Sequence, residues 1–288
     1  MEFDNTHIQM RSYQGYQLHK MREGLHGEVN FDFITSFQVS RNFHQVIKAC
    51  KNVVNKPTRI NMKFETHDKK FQICFIEKSS FKKFAAFIVR YKEYILSIGG
   101  KRSDSLNSSI KPRFSYLLEP HGLYRLNYRW VKSLKLMIFR QEMQLKPRNS
   151  RDVLFKFEIH ARKEPTPPAN TSEIMKRLTH QRFDRDLTLT TSDLMLVSSR
   201  TSLLNFTSED QKQLREGLFR DIDFLTMEGL TNYSIRLIVE KGDLYHFGIC
   251  DYYQRYSDLS YFGKKLSLTP EDYGKKMKNI LNRHVLIQ

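Results

Sequence analysis

The sequence predicts an α+β protein of two coupled lobes, with antiparallel sheets flanked by helices. Three observations predict it: runs of period-two alternation recur along the chain, helical apolar stripes separate them, and a proline-rich segment near 163–172 divides the whole. With 288 residues, 40% hydrophobic content and 21 Phe, the chain can bury a proper core and does not read as disordered.

Residues 1–40 carry weak periodicity and scattered Gly, and are expected to form an N-terminal arm. The N-terminal lobe is expected over 41–162. It opens with a helix from Asn42 to Val54, on which Phe43, Val46, Ile47 and Cys50 share a face. A hairpin follows: Ile60, Met62 and Phe64 alternate, His67 to Lys70 turn, and Phe71, Ile73 and Phe75 alternate back. Ser79 or Ser80 can cap a long helix striped by Phe84, Ile88, Tyr91 and Ile95, and a stripe of that kind is core. Strand-like runs then occupy Arg113–Leu118, Leu123–Trp130, Leu134–Phe139 and Val153–Ile159, with a turn from Pro120 to Gly122. Pro165, Pro167 and Pro168 mark the linker at 163–172, and the C-terminal lobe fills 173–288.

In that second lobe, Ser208 to Gln211 reads as a capping box. Leu214, Leu218, Ile222 and Leu225 recur at helical spacing, and Gly229 is a natural stop. Asn232 to Val239 and Leu244 to Asp251 alternate around a turn at Glu240 to Asp243, the pattern of a hairpin. Two short polar side chains far apart in sequence, Asn232 and Asp251, therefore meet at one end of it.

Composition narrows the function classes. The net charge of +17 predicts attraction to phospholipid headgroups, nucleic acid or an acidic protein, against the plainer reading of a merely soluble basic surface. No apolar run of roughly 18 residues exists to span a bilayer. Glu2 and Asp4 near the start, with no apolar core beside them, fit neither a secretory signal nor a typical transit peptide, and a leader removed ahead of residue 1 stays open. Cys50, Cys74 and Cys250 are scattered without metal-ligand spacing and read as buried free thiols of a reducing compartment.

The C-terminal lobe resembles the phosphatidylinositol phosphate kinases over 203–281. Leu218 to Leu225 looks like the helix that leads into that family's Met-Asp-Tyr-Ser-Leu-Leu motif, which here reads Thr231-Asn232-Tyr233-Ser234-Ile235-Arg236. The family's Gly-Ile-Ile-Asp block matches Gly248-Ile249-Cys250-Asp251, and its closing helix resembles Thr269 to Met277. The resemblance implies a two-lobed lipid-kinase-like fold. It also lets each catalytic part be sought in turn.

Such a phosphotransferase needs a backbone cradle for phosphates, a Lys on them, a residue that orients or deprotonates the attacking hydroxyl, and a carboxylate for Mg²⁺. Between Asn52 and Lys70 there is no Gly, so the cradle is expected to be absent. The family's nucleotide Lys falls at Cys74, which offers no fixed charge, and Lys69 and Lys70 are the nearby alternatives. The family's catalytic Asp falls at Asn232, whose neutral amide accepts no proton at neutral pH. Losing a general base costs about 10²–10⁴ in rate. Only Asp251 keeps the pattern, either as a vestigial holder of Mg²⁺ or as a strand-end residue bonding turn amides. The family's Asp-Leu-Lys-Gly-Ser segment reads Glu158-Ile159-His160-Ala161-Arg162. Lys264 and Lys265 stand where the family reads a lipid headgroup, and with Lys275, Lys276 and Lys278 they form a basic cluster. That cluster is either a contact for anionic lipid or a partner, or a solvated helix face.

The expectation is accordingly a catalytically inactive, pseudokinase-like protein, more a structural or accessory subunit of a larger membrane-associated assembly than an enzyme. No cofactor is expected. Protein subunits are its expected partners, with an anionic phospholipid surface beside them. A divergent active phosphoinositide kinase using Asp251 and Mg-ATP is the alternative, and a basic RNA-associated structural protein is the second. Placement stays open between the mitochondrial inner membrane and the cytoplasmic face of another membrane.

Overall fold

The computed structural model describes residues 16–23, 63–65, 71–76, 80–98, 115–128, 131–140, 152–162, 171–179, 187–199, 204, 206–242 and 244–286. The expected helix at 42–54, the turn at 67–70 and residues 163–170 of the proline-rich linker lie outside them, while Thr171 and Ser172, expected in that linker, begin a helix. The protein is α+β. The chain divides into two compact units, Met1–Asp104 with Leu118–Met143, and Ser105–Leu117 with Gln144–Gln288.

The first unit carries a five-stranded antiparallel sheet ordered β1-β4-β5-β3-β2, built from β1 (Tyr16–Glu23), β2 (Lys63–Glu65), β3 (Phe71–Ile76), β4 (Glu119–Tyr128) and β5 (Val131–Arg140). The strand at Tyr16–Glu23 corrects the expectation of a loose arm: it pairs with β4 from Tyr16 opposite Tyr128 to Glu23 opposite Gly122. Pro120 to Gly122 is no turn. It is a register shift inside β4, which lets the strand carry a proline without a continuous ladder. Helix α1 (Phe81–Ile98) follows β3 and buries Phe84, Phe87, Ile88 and Tyr91, close to the stripe read from sequence.

The second unit holds a mixed four-stranded sheet, β7-β6-β8-β9, with several helices. Its strands are β6 (Val153–Ile159), β7 (Leu189–Thr190), β8 (Ser234–Glu240) and β9 (Leu244–Cys250); its helices are α2 (Thr171–Leu178), α3 (Thr191–Ser198), α4 (Ser208–Met227), α5 (Tyr261–Leu266) and α6 (Pro270–His284). The Val153–Ile159 strand, grouped by sequence with the N-terminal lobe, pairs instead with β8, Ile159 opposite Ile235. Val153, Phe155, Phe157 and Ile159 are buried on one face, as alternation requires. The sheet is not purely antiparallel: β7 runs parallel to β6, and the long connection through α2 makes that direction possible. The expected strand at Arg113–Leu118 reduces, over its described residues, to one parallel bridge from Leu117 to Ile249. Buried Asp221 of α4 holds this segment, accepting from Tyr116 N at 2.5 Å and Ser115 Oγ at 3.1 Å.

Helix α4 buries Leu214, Leu218, Ile222 and Leu225, each worth roughly 1.5–3 kcal/mol against exposure. Its cap is Thr207, one residue before the expected Ser208; Thr207 Oγ1 accepts from Asp210 N at 3.1 Å and donates to Asp210 Oδ2 at 2.7 Å. It ends in a Schellman arrangement. Leu230 N donates to Leu225 O, Gly229 N donates to Thr226 O, and Gly229 takes φ +69°.

Candidate functional site

The β8–β9 hairpin forms as read, with Ser234 opposite Cys250 and Glu240 opposite Leu244. Gly242, at φ +78°, makes the turn. At the open end, both residues singled out from sequence adopt left-handed backbone: Asn232 at φ 59° and Asp251 at φ 63°. No other described non-glycine residue does so. They stand between the last ladder pair, Ser234 with Cys250, and a further bridge, Leu230 with Arg255. Thr231 N donates to Gln254 O, and Tyr256 N to Gly229 O, both at 3.0 Å. The two strands thus part, kink at Asn232 and Asp251, and meet again. Asn and Asp are the non-glycine residues that enter this region at least cost, so backbone geometry favours these residue types here.

Their side chains go separate ways. The Asn232 amide donates to Gln254 Oε1 at 2.8 Å and to Ser267 Oγ at 3.1 Å, so both of its N–H groups are used. Buried Asp251 accepts from Ser234 Oγ at 3.1 Å. That hydroxyl also lies 3.3 Å from Glu158 Oε1, which in turn sits 3.6 Å from His160 Nε2. A line of polar groups therefore runs His160, Glu158, Ser234, Asp251, and Asn232 is outside it. Among the described residues no group of three or more His, Cys, Asp or Glu could hold a metal ion.

Beside this line a cavity of about 200 Å³ opens, lined by Glu158, His160, Arg162, Thr191, Lys276 and Ile280 among others. Several of its polar groups are already engaged. Thr191 Oγ1 accepts from His160 N at 2.8 Å and donates to His160 O at 3.2 Å, while Lys276 Nζ donates to the Arg162 carbonyl. Ala161, where the resembling motif has Gly, is fully buried; its N–H donates to Tyr273 Oη at 3.3 Å, and that hydroxyl donates to the Tyr233 carbonyl. Burial holds the Tyr273 phenol far above the ordinary tyrosine range.

The five lysines divide. Lys276 is turned to Arg162, and Lys278 pairs with Asp223 at 2.5 Å beneath the Phe219 ring. Lys264 lies 5.8 Å from the centre of the Tyr256 ring. Lys265 and Lys275 are exposed. Cys74, in the first unit, is fully buried in β3, opposite Lys63 of β2 and Met137 of β5. Lys69 and Lys70 lie outside the described residues.

Sequence reasoning missed two parts of this region. One is the left-handed pair, although Asn and Asp bounding two alternating runs was a usable signal. The other is α5, capped by Ser260, whose Oγ accepts from Gly263 N at 3.2 Å. No family model matches the chain, and no curated protein matches it. Among the described residues no helix is long and apolar enough to cross a membrane.

Proposed function

We propose that the chain is a catalytically inactive relative of the phosphatidylinositol phosphate kinases, serving as a structural subunit of a larger, membrane-associated assembly. The observation that carries this reading is at Asn232. Where that family places a carboxylate, this chain has a neutral amide already donated to Gln254 and Ser267. Such a group takes no proton from an attacking hydroxyl. Buried Cys74 supplies no ammonium where the family has its nucleotide Lys. The left-handed backbone at Asp251, with its carboxylate bonded to Ser234, suits a strand-end role as well as a metal-binding one. Helix α4 leading into the β8–β9 hairpin, with α6 closing the unit, supports the finer reading of a lipid-kinase-like lobe. Exposed Lys265 and Lys275, on a chain of net charge +17, support contact with anionic phospholipid or an acidic partner. The test is titration calorimetry of the full chain with Mg-ATP. No heat of binding is expected up to millimolar nucleotide, and binding in the low micromolar range would overturn the reading.

One observation favours the active alternative. Asp251, which follows β9, keeps the carboxylate where the resembling family holds Mg²⁺. In that case Asp251 holds Mg²⁺, and phosphoryl transfer to phosphoinositide vesicles is lost in Asp251→Ala. Absence of transfer across headgroup isomers retires it.

A further inference from the structure

We propose that α5 is a docking knob for an acidic groove on a partner protein, with Tyr261 and Phe262 as its anchors and Lys265 as its charged contact. The inference rests on the reading of the chain as a subunit of a larger assembly, and it names the surface and the chemistry of the partner.

Tyr261, Phe262 and Leu266 are 78%, 75% and 77% exposed. Three of the six exposed large hydrophobics among the described residues thus fall on one six-residue helix. Scattered apolar residues on a surface are ordinary, whereas a contiguous set marks an interaction site. Aromatic side chains of this kind serve as anchors because they bring large contact area with few rotatable bonds.

The knob is held still. Ser260 caps its start, and Ser267 N donates to Gly263 O at 3.0 Å at its end. Ser267 Oγ accepts from the Asn232 amide, and Thr231 Oγ1 donates to the Leu268 carbonyl at 3.2 Å. A preorganised element of this type loses little freedom on docking.

Two features choose a protein groove over a bilayer. A six-residue helix spans only about 9 Å, too short to lay an extended apolar stripe into a membrane. At roughly 100° per residue, Lys265 falls about 40° from Tyr261 and about 60° from Phe262, inside the apolar arc. Interfacial helices put their cations on the opposite, polar face. A cation within an aromatic arc matches instead a pocket that carries its own carboxylate. The net charge of +17 argues for an acidic partner and against a second copy of this chain.

The test uses the full chain in its native assembly, purified in gentle detergent, with photoreactive benzoylphenylalanine in place of Phe262. Irradiation should join it to a protein peptide that carries Asp or Glu beside the cross-linked residue. Lys265→Glu should cut the cross-link yield at least tenfold, and Lys265→Arg should retain it. Both variants change an exposed residue and should keep the parent's melting temperature. Cross-links to lipid, a protein cross-link with no acidic neighbour, or a yield unchanged by Lys265→Glu would each overturn the proposal. So would co-sedimentation with vesicles of 70% phosphatidylcholine and 30% phosphatidylserine that collapses in Tyr261→Ala/Phe262→Ala. Mg-ATP binding bears on the inactive-kinase reading alone and leaves this cross-link where it is.

Discussion

The amide of Asn232 donates to Ser267 Oγ at 3.1 Å, so the residue at the mouth of β8 also fixes the C-terminal end of α5. One side chain accordingly has three tasks: it permits a left-handed kink, it bonds the returning strand through Gln254, and it anchors the exposed helix. An Ala at this position keeps none of them.

The two left-handed residues give the first prediction. Asn232→Ala should lower stability by about 3–4 kcal/mol, from the left-handed penalty of roughly 1–2 kcal/mol and two lost hydrogen bonds of roughly 1 kcal/mol each. Asn232→Gly keeps the kink and should cost less than Ala. The same ordering should hold for Asp251→Gly and Asp251→Ala, because Asp251 shares the conformation. Urea unfolding of the four variants checks this. Equal losses for Gly and Ala would mean that backbone strain is not what selects these residues.

Gly274 supplies the second. In a helix interior Gly→Ala ordinarily stabilises by about 1 kcal/mol. Here an added Cβ would stand 2.6 Å from Thr226 Oγ1 and 3.3 Å from Ile222 Cγ2, both on α4. Overpacking of this kind costs about 1–3 kcal/mol, so the sign should reverse. Gly274→Ala/Thr226→Ala should recover most of the loss relative to Thr226→Ala alone, a coupling that a double-mutant cycle in thermal melts measures directly.

The elements legible in the sequence were those with a complete local signal. Helix α4 has an apolar repeat, a cap-competent start and a glycine at its end. Its cap slipped by one because Thr207 and Ser208 are both good caps and only the fold chooses between them. The β8–β9 hairpin was legible from alternation and Gly242. Strand β1 was not, because Tyr16 and Leu18 give way to Lys20 and the strand exists through its pairing with β4. The partner of β6 was equally hidden, since alternation states which face is buried and never which sheet buries it. Helix α5 is too short for periodicity to register. At the candidate site, Asn232 and Asp251 were legible as polar residues bounding the hairpin, whereas their shared backbone conformation and the bonds of the Asn232 amide to Gln254 and Ser267 are facts of tertiary structure.

Tyr273 carries a prediction at alkaline pH. Burial raises its phenol pKa, so the native state keeps a proton that the unfolded chain releases above about pH 10. The contribution is therefore fully present below pH 10 and declines as pH rises beyond it. Tyr273→Phe removes this residue's share of the dependence. It also leaves the buried Ala161 N–H without its acceptor, at a cost of about 1–3 kcal/mol at neutral pH. The stability difference between pH 8 and pH 10.5 should thus be smaller for the variant than for the parent, with a remainder from Tyr233 and Tyr116, whose phenol pKa values burial also raises. A parent whose stability stays flat through pH 11 would contradict it.

The last prediction lies at the acid limb. His284, at the end of α6, has its pKa lowered by burial first and by neighbouring Arg283 second, and its Nδ1 lies 2.9 Å from Ser198 Oγ on α3. The unfolded chain takes up a proton near pH 6.5 that the folded chain refuses until lower pH. Stability from this residue is hence present above pH 6.5 and falls away as pH drops below it. His284→Gln keeps a polar partner for Ser198 without a titrating ring. It should flatten the stability profile between pH 6.5 and 5, leaving the value at pH 7.5 within about 1 kcal/mol of the parent. Nuclear magnetic resonance titration of the His284 ring checks the sign independently: a midpoint above 6.5 in the folded protein would reverse it.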